Sequence, residues 1–413
     1  MKITNTIKIS LAGLRANKLR SALTMLGIVI GITSIILVVS IGNGAQNLIL
    51  GEIQSMGSRT LTIDPGKPSS GFSDSMMSFF QQSLKDKDLD ALKKKSNVPH
   101  LSSIIPLVFT QDNIIYENES YSGTILGSSE KITDFYKINM ASGYFFSEDD
   151  VKAKADVAVI GSKIKEDLFG MSDPLGKKIR IKNKTLKIIG VLPEKGGGFS
   201  FNYNKAVMVP YTTAKDYILG QKHYNEFIIE VDDEKYITQT VDDIKITLRN
   251  SHNITDPEKD DFNVQTQKDL MKTVGTVTSV LTLFLAMVAA ISLLVGGVGI
   301  MNVMFISVTE RTKEIGLRKA LGATNGDILS QFLYEAVFLT LSGGLMGILF
   351  GAGLSYIAAI ALSGSMSSTW QFTFPMSAAM SGIITSAIIG IVFGIYPAYQ
   401  ASKKNPIEAL RYE

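Results

Sequence analysis

The sequence predicts a membrane protein with four transmembrane α-helices plus a large extracytoplasmic α+β domain between helices 1 and 2. The first observation is composition: 45% of the 413 residues are apolar and only 19% are charged, as in many membrane proteins. The second is a set of four apolar stretches, each longer than the ~20 residues that a helix needs to cross a bilayer. The third is a long segment of mixed polarity, residues 46–272, that separates the first stretch from the other three.

The chain is expected to begin with an amphipathic elbow helix over residues 1–20. Apolar and basic residues recur there with helical spacing, which is typical of a helix lying at the cytoplasmic lipid surface. The apolar positions are Ile3, Ile7, Leu11 and Leu14, and the basic positions include Lys8, Arg15 and Lys18.

The first transmembrane helix is predicted over residues 21–45, inside an uncharged span from Ser21 to Gly51. A cleaved signal peptide is the alternative, because it too begins with basic residues. The apolar core of a signal peptide is usually about 7–15 residues long and is followed by an A-x-A site. The core here is longer and no such site follows, so we interpret the stretch as a retained anchor.

The segment 46–272 has the mixed pattern of an α+β domain, and we expect an inserted subdomain at about 111–210. Strands are predicted at 61–64, 157–161, 206–211 and 227–231, and alternation over 178–192 predicts a hairpin that turns at Asn183-Lys184. Residues 237–248 have helical spacing. The Ser- and Met-rich stretch 68–83 predicts a flexible loop. Its Met76, Met77, Phe79 and Phe80 form either an apolar tip for a partner or ordinary buried contacts.

The second half of the chain alternates apolar and charged segments. We predict a stalk and second helix at 273–309, a cytoplasmic coupling loop at 310–330, a third helix at 331–362, a short external loop at 363–376, a fourth helix at 377–401 and a cytoplasmic tail at 402–413. Lys and Arg cluster in 1–20, in 310–335 and after 402, which places both termini in the cytoplasm. The prediction is a multi-pass protein of the plasma (inner) membrane.

The segment 310–319 is the densest charge cluster of the second half: six of its ten residues are charged, and the preceding 37 residues carry no charge. Six charges within the bilayer would cost ~15 kcal/mol or more, so this segment lies outside it. Favourable spacing of opposite charges indicates a helix continuing from the second span. The pairs are Glu310 with Lys313, Arg311 with Glu314, and Glu314 with Arg318.

Gly322 is predicted to end this charged helix, and Thr324 with Asp327 is predicted to form a capping box that starts the next one. A structured, charged surface facing the cytoplasm indicates a docking site for a partner. The alternative is a solvated loop whose basic residues serve only as membrane anchors. That alternative explains the Arg and Lys residues but neither the matched acids nor the ordered stop and restart.

The apolar stretches carry glycines four residues apart, a spacing that lets helices approach closely. The alternative is that glycine is simply frequent in such helices. We also expect the spans to be free of ionisable side chains, which disfavours a proton- or ion-coupled transporter. The predicted helix-packing residues are Gly27 and Gly31, then Gly343, Gly347 and Gly351, and finally Gly390 and Gly394.

No catalytic or metal-binding pattern is present in the sequence. It contains no cysteine and three histidines spread through 46–272. No G-x-x-x-x-G-K-[ST] motif occurs, so we expect no ATP site formed by a P-loop. The net charge of +3 gives no reason to expect a nucleic-acid partner.

Long stretches resemble the FtsX-like permease domain of MacB-type ABC transporters. They are "MNVMFISVTERTKEIGLRKALGATNGDILSQFLYEA", "LRANKLRSALTMLGIVIGITSIILVVSIGNGAQ", "MGSRTLTIDPG", "VAVIGSKIKEDLFG", "DPLGKKIRIKNKTLKIIGVL" and "YPAYQASKKNPIEALRYE". The resemblance covers nearly the whole chain. Because no P-loop is present, the chain resembles the split form of the family, in which the ATPase is a separate subunit.

The resemblance implies a permease that pairs with a second copy of itself, a separate ABC ATPase and a membrane-fusion or adaptor protein. ATP and Mg belong to the ATPase, so no cofactor is expected in this chain. The family's coupling helix falls on 310–319, which assigns ATPase coupling to Glu310, Arg311, Glu314, Arg318 and Lys319.

The function implied is mechanotransmission. ATP-driven motion would be relayed to the external domains for export of peptides, antibiotics or other amphiphiles. Lipoprotein extraction and FtsX-like regulation of a cell-wall hydrolase stay open as alternatives, whereas a plain sensor or adhesin is disfavoured by the coupling segment.

Overall fold

The computed structural model describes residues 18–55, 57–67, 82–194, 202–365, 370 and 372–411. Residues 1–17 of the predicted elbow helix, and 68–81 of the predicted loop with its Met and Phe tip, lie outside the described residues. The chain divides into a helical unit and an α+β unit. Within the described residues, the helical unit comprises 18–47, 276–365, 370 and 372–411, and the α+β unit comprises 48–55, 57–67, 82–194 and 202–275.

The described residues form helices and strands in the following order. The helices are α1 (Lys18–Ser55), α2 (Asp86–Lys93), α3 (Ile132–Phe135), α4 (Glu148–Lys152), α5 (Ser162–Phe169), α6 (Tyr211–Thr213, followed by a π-helical turn at Ala214–Leu219), α7 (Ile237–His252), α8 (Gln267–Glu310), α9 (Thr312–Ala320), α10 (Asn325–Ser365), α11 (Met376–Ser402) and α12 (Pro406–Arg411). The strands are β1 (Thr60–Pro65), β2 (Leu101–Tyr116), β3 (Glu119–Ser128), β4 (Ser142–Gly143), β5 (Val157–Ile160), β6 (Lys178–Ile181), β7 (Lys184–Val191), β8 (Ala206–Pro210), β9 (Glu226–Val231) and β10 (Phe262–Thr266).

Four helices of the described residues, α1, α8, α10 and α11, are long and apolar enough to cross a membrane. Each of them contains one of the four predicted spans. The helices exceed the predicted limits, most clearly where α1 continues to Ser55 and α8 begins at Gln267. A helix satisfies its own backbone hydrogen bonds, so nothing requires it to end where its apolar run ends.

Glycines of α1 and α10 lie where helices of this unit approach one another most closely. A Cβ added to Gly27 would lie 2.9 Å from the Cα of Gly296 in α8, and one on Gly31 would lie 3.0 Å from the Leu293 side chain. On α10, glycines at four-residue intervals face isoleucines of α1 at the same intervals. The Cβ distances would be 3.4 Å for Gly343 to Ile28, 2.9 Å for Gly347 to Ile32 and 2.7 Å for Gly351 to Ile36.

The glycines of α11 face α10 in the same way. A Cβ on Gly390 would lie 2.8 Å from the Cα of Val337, and one on Gly394 would lie 2.5 Å from the Cβ of Ala336. Real Cβ atoms do not approach other atoms this closely, so a larger residue at either position would push α11 away from α10. Small residues therefore set the spacing between these helices.

The α+β unit is built on a ten-stranded sheet with the order β10-β1-β9-β2-β3-β8-β5-β7-β4, in which β6 pairs with β2 and β7. The long strand β2 joins the two halves: its first part pairs with β9, and its second part pairs with β3 and β6. Strands β3 to β8 fall within the predicted insertion at 111–210, and β2 is shared between that region and the rest of the sheet.

The predicted strands of this unit are confirmed. The hairpin of β6 and β7 turns at Lys182-Asn183, one residue earlier than predicted, and Lys182 adopts a φ of +50°. The predicted helix is α7, whose Ile244 and Leu248 are fully buried in the core of the unit. Alternation in β6 and helical spacing in α7 succeeded because each of these elements buries one face in the core of the unit.

A candidate coupling site between the second and third spanning helices

The charged segment forms a short helix of its own, α9, between α8 and α10. The prediction that it simply continues α8 is wrong at one residue: the helix breaks at Arg311, where φ is −103° and ψ is 19°. Thr312 links the two sides of the break, because its Oγ1 donates to the carbonyl of Val308 at 3.0 Å. The α9 helix is thus a separate element from α8.

The predicted stop at Gly322 is confirmed. Gly322 has a φ of +101°, a conformation that glycine adopts without the penalty of a side chain. Its N–H donates to the carbonyl of Lys319 at 3.0 Å, and the N–H of Ala323 donates to that of Arg318 at 3.0 Å. These two bonds are a Schellman motif, and they end α9 sharply.

The predicted capping box at the start of α10 is confirmed as well. The N–H of Asp327 donates to Thr324 Oγ1 at 3.2 Å, and the N–H of Thr324 donates to Asp327 Oδ2 at 3.0 Å. Two backbone donors that the helix itself leaves free are satisfied in this way. Both ends of the segment between α9 and α10 are therefore fixed by local hydrogen bonds.

The charged side chains of Arg311 and α9 include one predicted pair and two that were not predicted. Arg318 forms the predicted ion pair with Glu314. Its Nη1 also donates to Gln331 Oε1 at 2.6 Å. Arg311, which the spacing pairs with Glu314, instead donates to Glu335 Oε2 at 3.1 Å. Arg311 is free to turn away from α9 because the helix breaks there.

Glu335 corrects the expectation that the predicted spans carry no ionisable side chain, because it lies within the predicted third span, 331–362. It is 5% exposed as a whole residue. Arg311 neutralises it, and a paired charge close to the end of a membrane helix is tolerated far better than an isolated one at the centre. Sequence spacing could not find this pair, since the partners lie on different elements.

Lys319 points back into the protein. Its Nζ donates to the carbonyl of Lys404 at 2.9 Å and to that of Ser402. Because Ser402 ends α11, the ammonium group satisfies a carbonyl at the negative end of that helix dipole. Lys319 therefore ties α9 to the end of α11.

The C-terminal helix α12 packs against α9. A Cβ added to Gly316 would lie 2.8 Å from the Cβ of Ala409 and 3.3 Å from the carbonyl of Pro406. Sequence analysis did not identify this contact. The signal available was the short run "NPIEAL", in which Asn405 Oδ1 accepts from the N–H of Ile407 at 3.1 Å and starts the helix.

Four large apolar side chains of the paired helices are exposed. Leu317 and Leu321 on α9 are 53% and 81% exposed, and Ile407 and Leu410 on α12 are 67% and 49% exposed. Glu314 lies one helical turn before Leu317 on α9, and its side chain is 48% exposed. We call Glu314, Leu317, Leu321, Ile407 and Leu410 the docking face. An exposed apolar patch with a polar rim is typical of a protein interaction site.

Among the residues that the structure describes, no group of three or more His, Cys, Asp and Glu side chains is arranged to hold a metal ion. The site consists instead of a short helix that is held from inside and carries apolar side chains outside. Such an arrangement is suited to binding a partner.

Comparison with known proteins adds the following. The chain matches the family model of a MacB-like periplasmic core domain over residues 21–246 and that of an FtsX-like permease C-terminal domain over residues 286–406. It is 36% identical to "Macrolide export ATP-binding/permease protein MacB 2" of Yersinia pestis bv. Antiqua over 413 residues, which is 100% of this chain and 58% of that protein.

The chain is also 36% identical to "Macrolide export ATP-binding/permease protein MacB" of Bdellovibrio bacteriovorus, over 97% of this chain and 60% of that protein. It thus spans about three fifths of the length of these relatives. Among solved structures, the periplasmic region of MacB from Actinobacillus actinomycetemcomitans is similar, with a TM-score of 0.47 and 24% identity over 55% of this chain and 97% of that one.

Proposed function

Because this chain belongs to the family of FtsX-like permeases with a MacB-like periplasmic core domain, and is an ABC transporter permease subunit, we propose that it couples ATP hydrolysis on a separate ATPase to movement of its α+β domain. The proposed cargo is an amphiphile such as a macrolide, another antibiotic or a peptide. The names of the two relatives, both macrolide exporters, support this class of cargo.

The observation that carries the proposal is the docking face. The α9 helix is held in place from inside by Arg311, Arg318 and Lys319, while apolar side chains project outward. Glu310 and Glu314 are the exposed members of the predicted coupling set. In this proposal the three cations position the helix, and the two acids and the exposed leucines meet the ATPase.

The proposed partners are two ATPases, which bind ATP and Mg, a second copy of this chain and an adaptor protein. Closure of the ATPases would displace α9 on the cytoplasmic side. The long helices α1 and α8 both lead from the helical unit into the α+β unit, so they are suited to carry that displacement outward. The match to a MacB-like periplasmic core supports export in preference to regulation of a hydrolase.

The test is a charge reversal, Glu314→Lys, in the docking face. Its surface ion pair with Arg318 contributes only about 0–1 kcal/mol to folding, so the variant should reach the membrane at the normal level. A reversed charge at an interface opposes a complementary partner. The variant should therefore lose co-purification with the ATPase and lose transport.

The matched control is Lys94→Glu, a reversal at an exposed position of the α+β unit. It should bind the ATPase and transport as the unmodified protein does. A compensating reversal on the ATPase should partly restore Glu314→Lys. Normal binding and transport by Glu314→Lys would leave the segment as a solvated anchor loop, and the proposal would fail.

A further inference from the structure

Two buried polar side chains on α10 are not explained by docking. Gln331 and Glu335 lie one turn apart, and they are 3% and 5% exposed. Both side chains are directed at the segment that begins with Arg311 and continues through α9. Each member of a buried polar pair requires a hydrogen-bond partner.

The partners are the two arginines at the ends of that segment. Arg311 Nη1 donates to Glu335 Oε2 at 3.1 Å and to Oε1 at 3.4 Å. Arg318 Nη1 donates to Gln331 Oε1 at 2.6 Å. The earlier arginine meets the later residue of α10, so the two elements run antiparallel at two fixed points. We call Arg311, Arg318, Gln331 and Glu335 the α9–α10 latch.

The backbone bends at both ends of α9. At one end the helix breaks at Arg311, and at the other Gly322 turns the chain with a φ of +101°. Backbone hydrogen bonds span both bends, but they act close to the helix axis, so side-chain contacts farther from the axis do more to fix the rotation of α9. Two separated contacts to one helix prevent rotation, which a single contact would allow.

The latch adds little to the stability of the fold, but it strongly favours one position of α9. A buried ion pair contributes little net stability, because the cost of removing both charges from water offsets their attraction. Removing one partner is costly, however, because the other charge remains buried and unpaired. An arrangement of α9 that separated Arg311 from Glu335 is therefore strongly disfavoured, and one arrangement is selected.

We propose that Gln331 and Glu335 are positioning residues that lock α9 onto α10, so that displacement of the docking face passes into α10 instead of being absorbed by rotation of α9. The expected effect on transport rests on the proposed function. The expected effect on the position of α9 rests on the contacts alone. The two consequences are tested separately.

The structural test uses full-length protein in nanodiscs without any ATPase. Lys313 and Leu349, both exposed, are replaced by cysteines and spin-labelled, and labelled protein is diluted with unlabelled protein to suppress distances between copies. The sequence contains no native cysteine. Pulsed electron resonance should give one narrow distance in the parent and a broad or split distribution in Glu335→Ala and Gln331→Ala. An unchanged distribution in both variants would overturn the latch.

The functional test uses the permease with its ATPase. Glu335→Ala leaves the docking face intact, so the ATPase should still co-purify, while transport per ATP hydrolysed falls by about tenfold. The double variant Arg311→Glu with Glu335→Arg exchanges the two charges. It should make the distance distribution between the spin labels narrow again and restore much of the transport. The control is Tyr334→Phe, an exposed neighbour on α10, which should change neither measurement.

The outcomes separate the two proposals. A parent protein that binds no ATPase would refute the proposed function, and the distance measurement would still decide the latch. A Glu335→Ala variant that transports normally with a broadened distance would show that the latch does not carry motion, which also overturns the inference.

Discussion

Gly27 of α1 and Gly296 of α8 meet where these two helices cross, and a Cβ on Gly27 would lie 2.9 Å from the Cα of Gly296. The contact is backbone against backbone, so no flexible side chain can move aside to make room. The spacing of α1 and α8 therefore depends on the absence of side chains at this crossing.

Replacing Gly27 by valine should separate α1 from α8 and destabilise the helical unit. Inserting extra carbon atoms into a packed interface typically costs about 1–3 kcal/mol. We expect a lower unfolding temperature of the full-length protein in detergent. The control is Gly353→Ala on α10, where an added Cβ meets nothing within 4 Å. Equal unfolding temperatures for the two variants would show that the crossing tolerates separation.

The orientation of the chain in the membrane is tested by cysteine labelling on intact cells. Ser172→Cys in the α+β unit should react with an impermeant thiol reagent, after permeabilisation of any outer membrane. Asn405→Cys should react only after lysis. Both positions are exposed, whereas the nearby Ser402 is 3% exposed and would fail to react in either orientation. Labelling of Asn405→Cys on intact cells would contradict cytoplasmic termini.

We expect Glu226 to make the α+β unit less stable as the pH rises. Burial, together with the charge of Asp64, raises the pKa of Glu226 from 4.5 to about 8. Asp64 follows Ile63 on β1, and Ile63 pairs with Phe227, the neighbour of Glu226 on β9. Two carboxyl groups are thus held side by side, and folding favours the protonated form.

The direction in which the free energy of unfolding changes with pH follows from proton binding. Between pH 4.5 and about 8 the folded protein retains a proton on Glu226 that the unfolded chain releases, so the free energy of unfolding falls as the pH rises. Glu226→Gln removes the contribution of Glu226 and leaves that of Asp64, whose pKa burial raises to about 6. The stability of the variant relative to the parent should grow by roughly 1–3 kcal/mol between pH 5 and pH 8.

Hydrogen exchange of the β9 amides in full-length protein measures this effect. The control is Glu230→Gln on the same strand, where the carboxylate is partly exposed and pairs with Arg59 at 3.1 Å. Its stability relative to the parent should stay nearly constant over the same pH range. If stability changes with pH in Glu226→Gln as it does in the parent, protonation of the carboxyl pair is not linked to folding.

Leu321 is the most exposed apolar side chain of the docking face, at 81%. Leu321→Asp should leave the permease folded, because no packing is lost on the free surface. It should weaken ATPase binding by about tenfold or more, since apolar anchors carry a large part of interface affinity. Titration of the ATPase onto nanodisc-embedded permease measures this. Met171→Asp, at a fully exposed apolar position of the α+β unit, should bind normally, and equal affinities would exclude Leu321 as an anchor.

Much of the architecture was predictable from local patterns. The four spans follow from apolar length, α7 from the spacing of Ile244 and Leu248, and the end of α9 from Gly322. Each of these signals depends on a few neighbouring residues, because helix length, side-chain periodicity and backbone conformation are local properties. The turn of the β6–β7 hairpin was misplaced by one residue for the same reason: alternation constrains the strands more tightly than the turn.

The candidate site was predictable only in part. Sequence spacing identifies the Glu314–Arg318 pair, since both residues lie on one turn of one helix. It cannot pair Arg311 with Glu335 or Lys319 with the carbonyl of Lys404, because these partners come together only when α9, α10 and α11 pack. It also cannot show which cations face inward.

The sequence alone therefore determined that this is a four-span membrane protein with an α+β domain, and it predicts that the charged segment 310–319 lies outside the bilayer. The tertiary structure decided that Arg311, Arg318 and Lys319 hold α9 in place, and that Leu317, Leu321, Ile407 and Leu410 are left exposed. The physical reason is that partitioning between lipid and water acts on each stretch of chain separately. The role of a charged side chain, by contrast, depends on which distant groups share its surroundings.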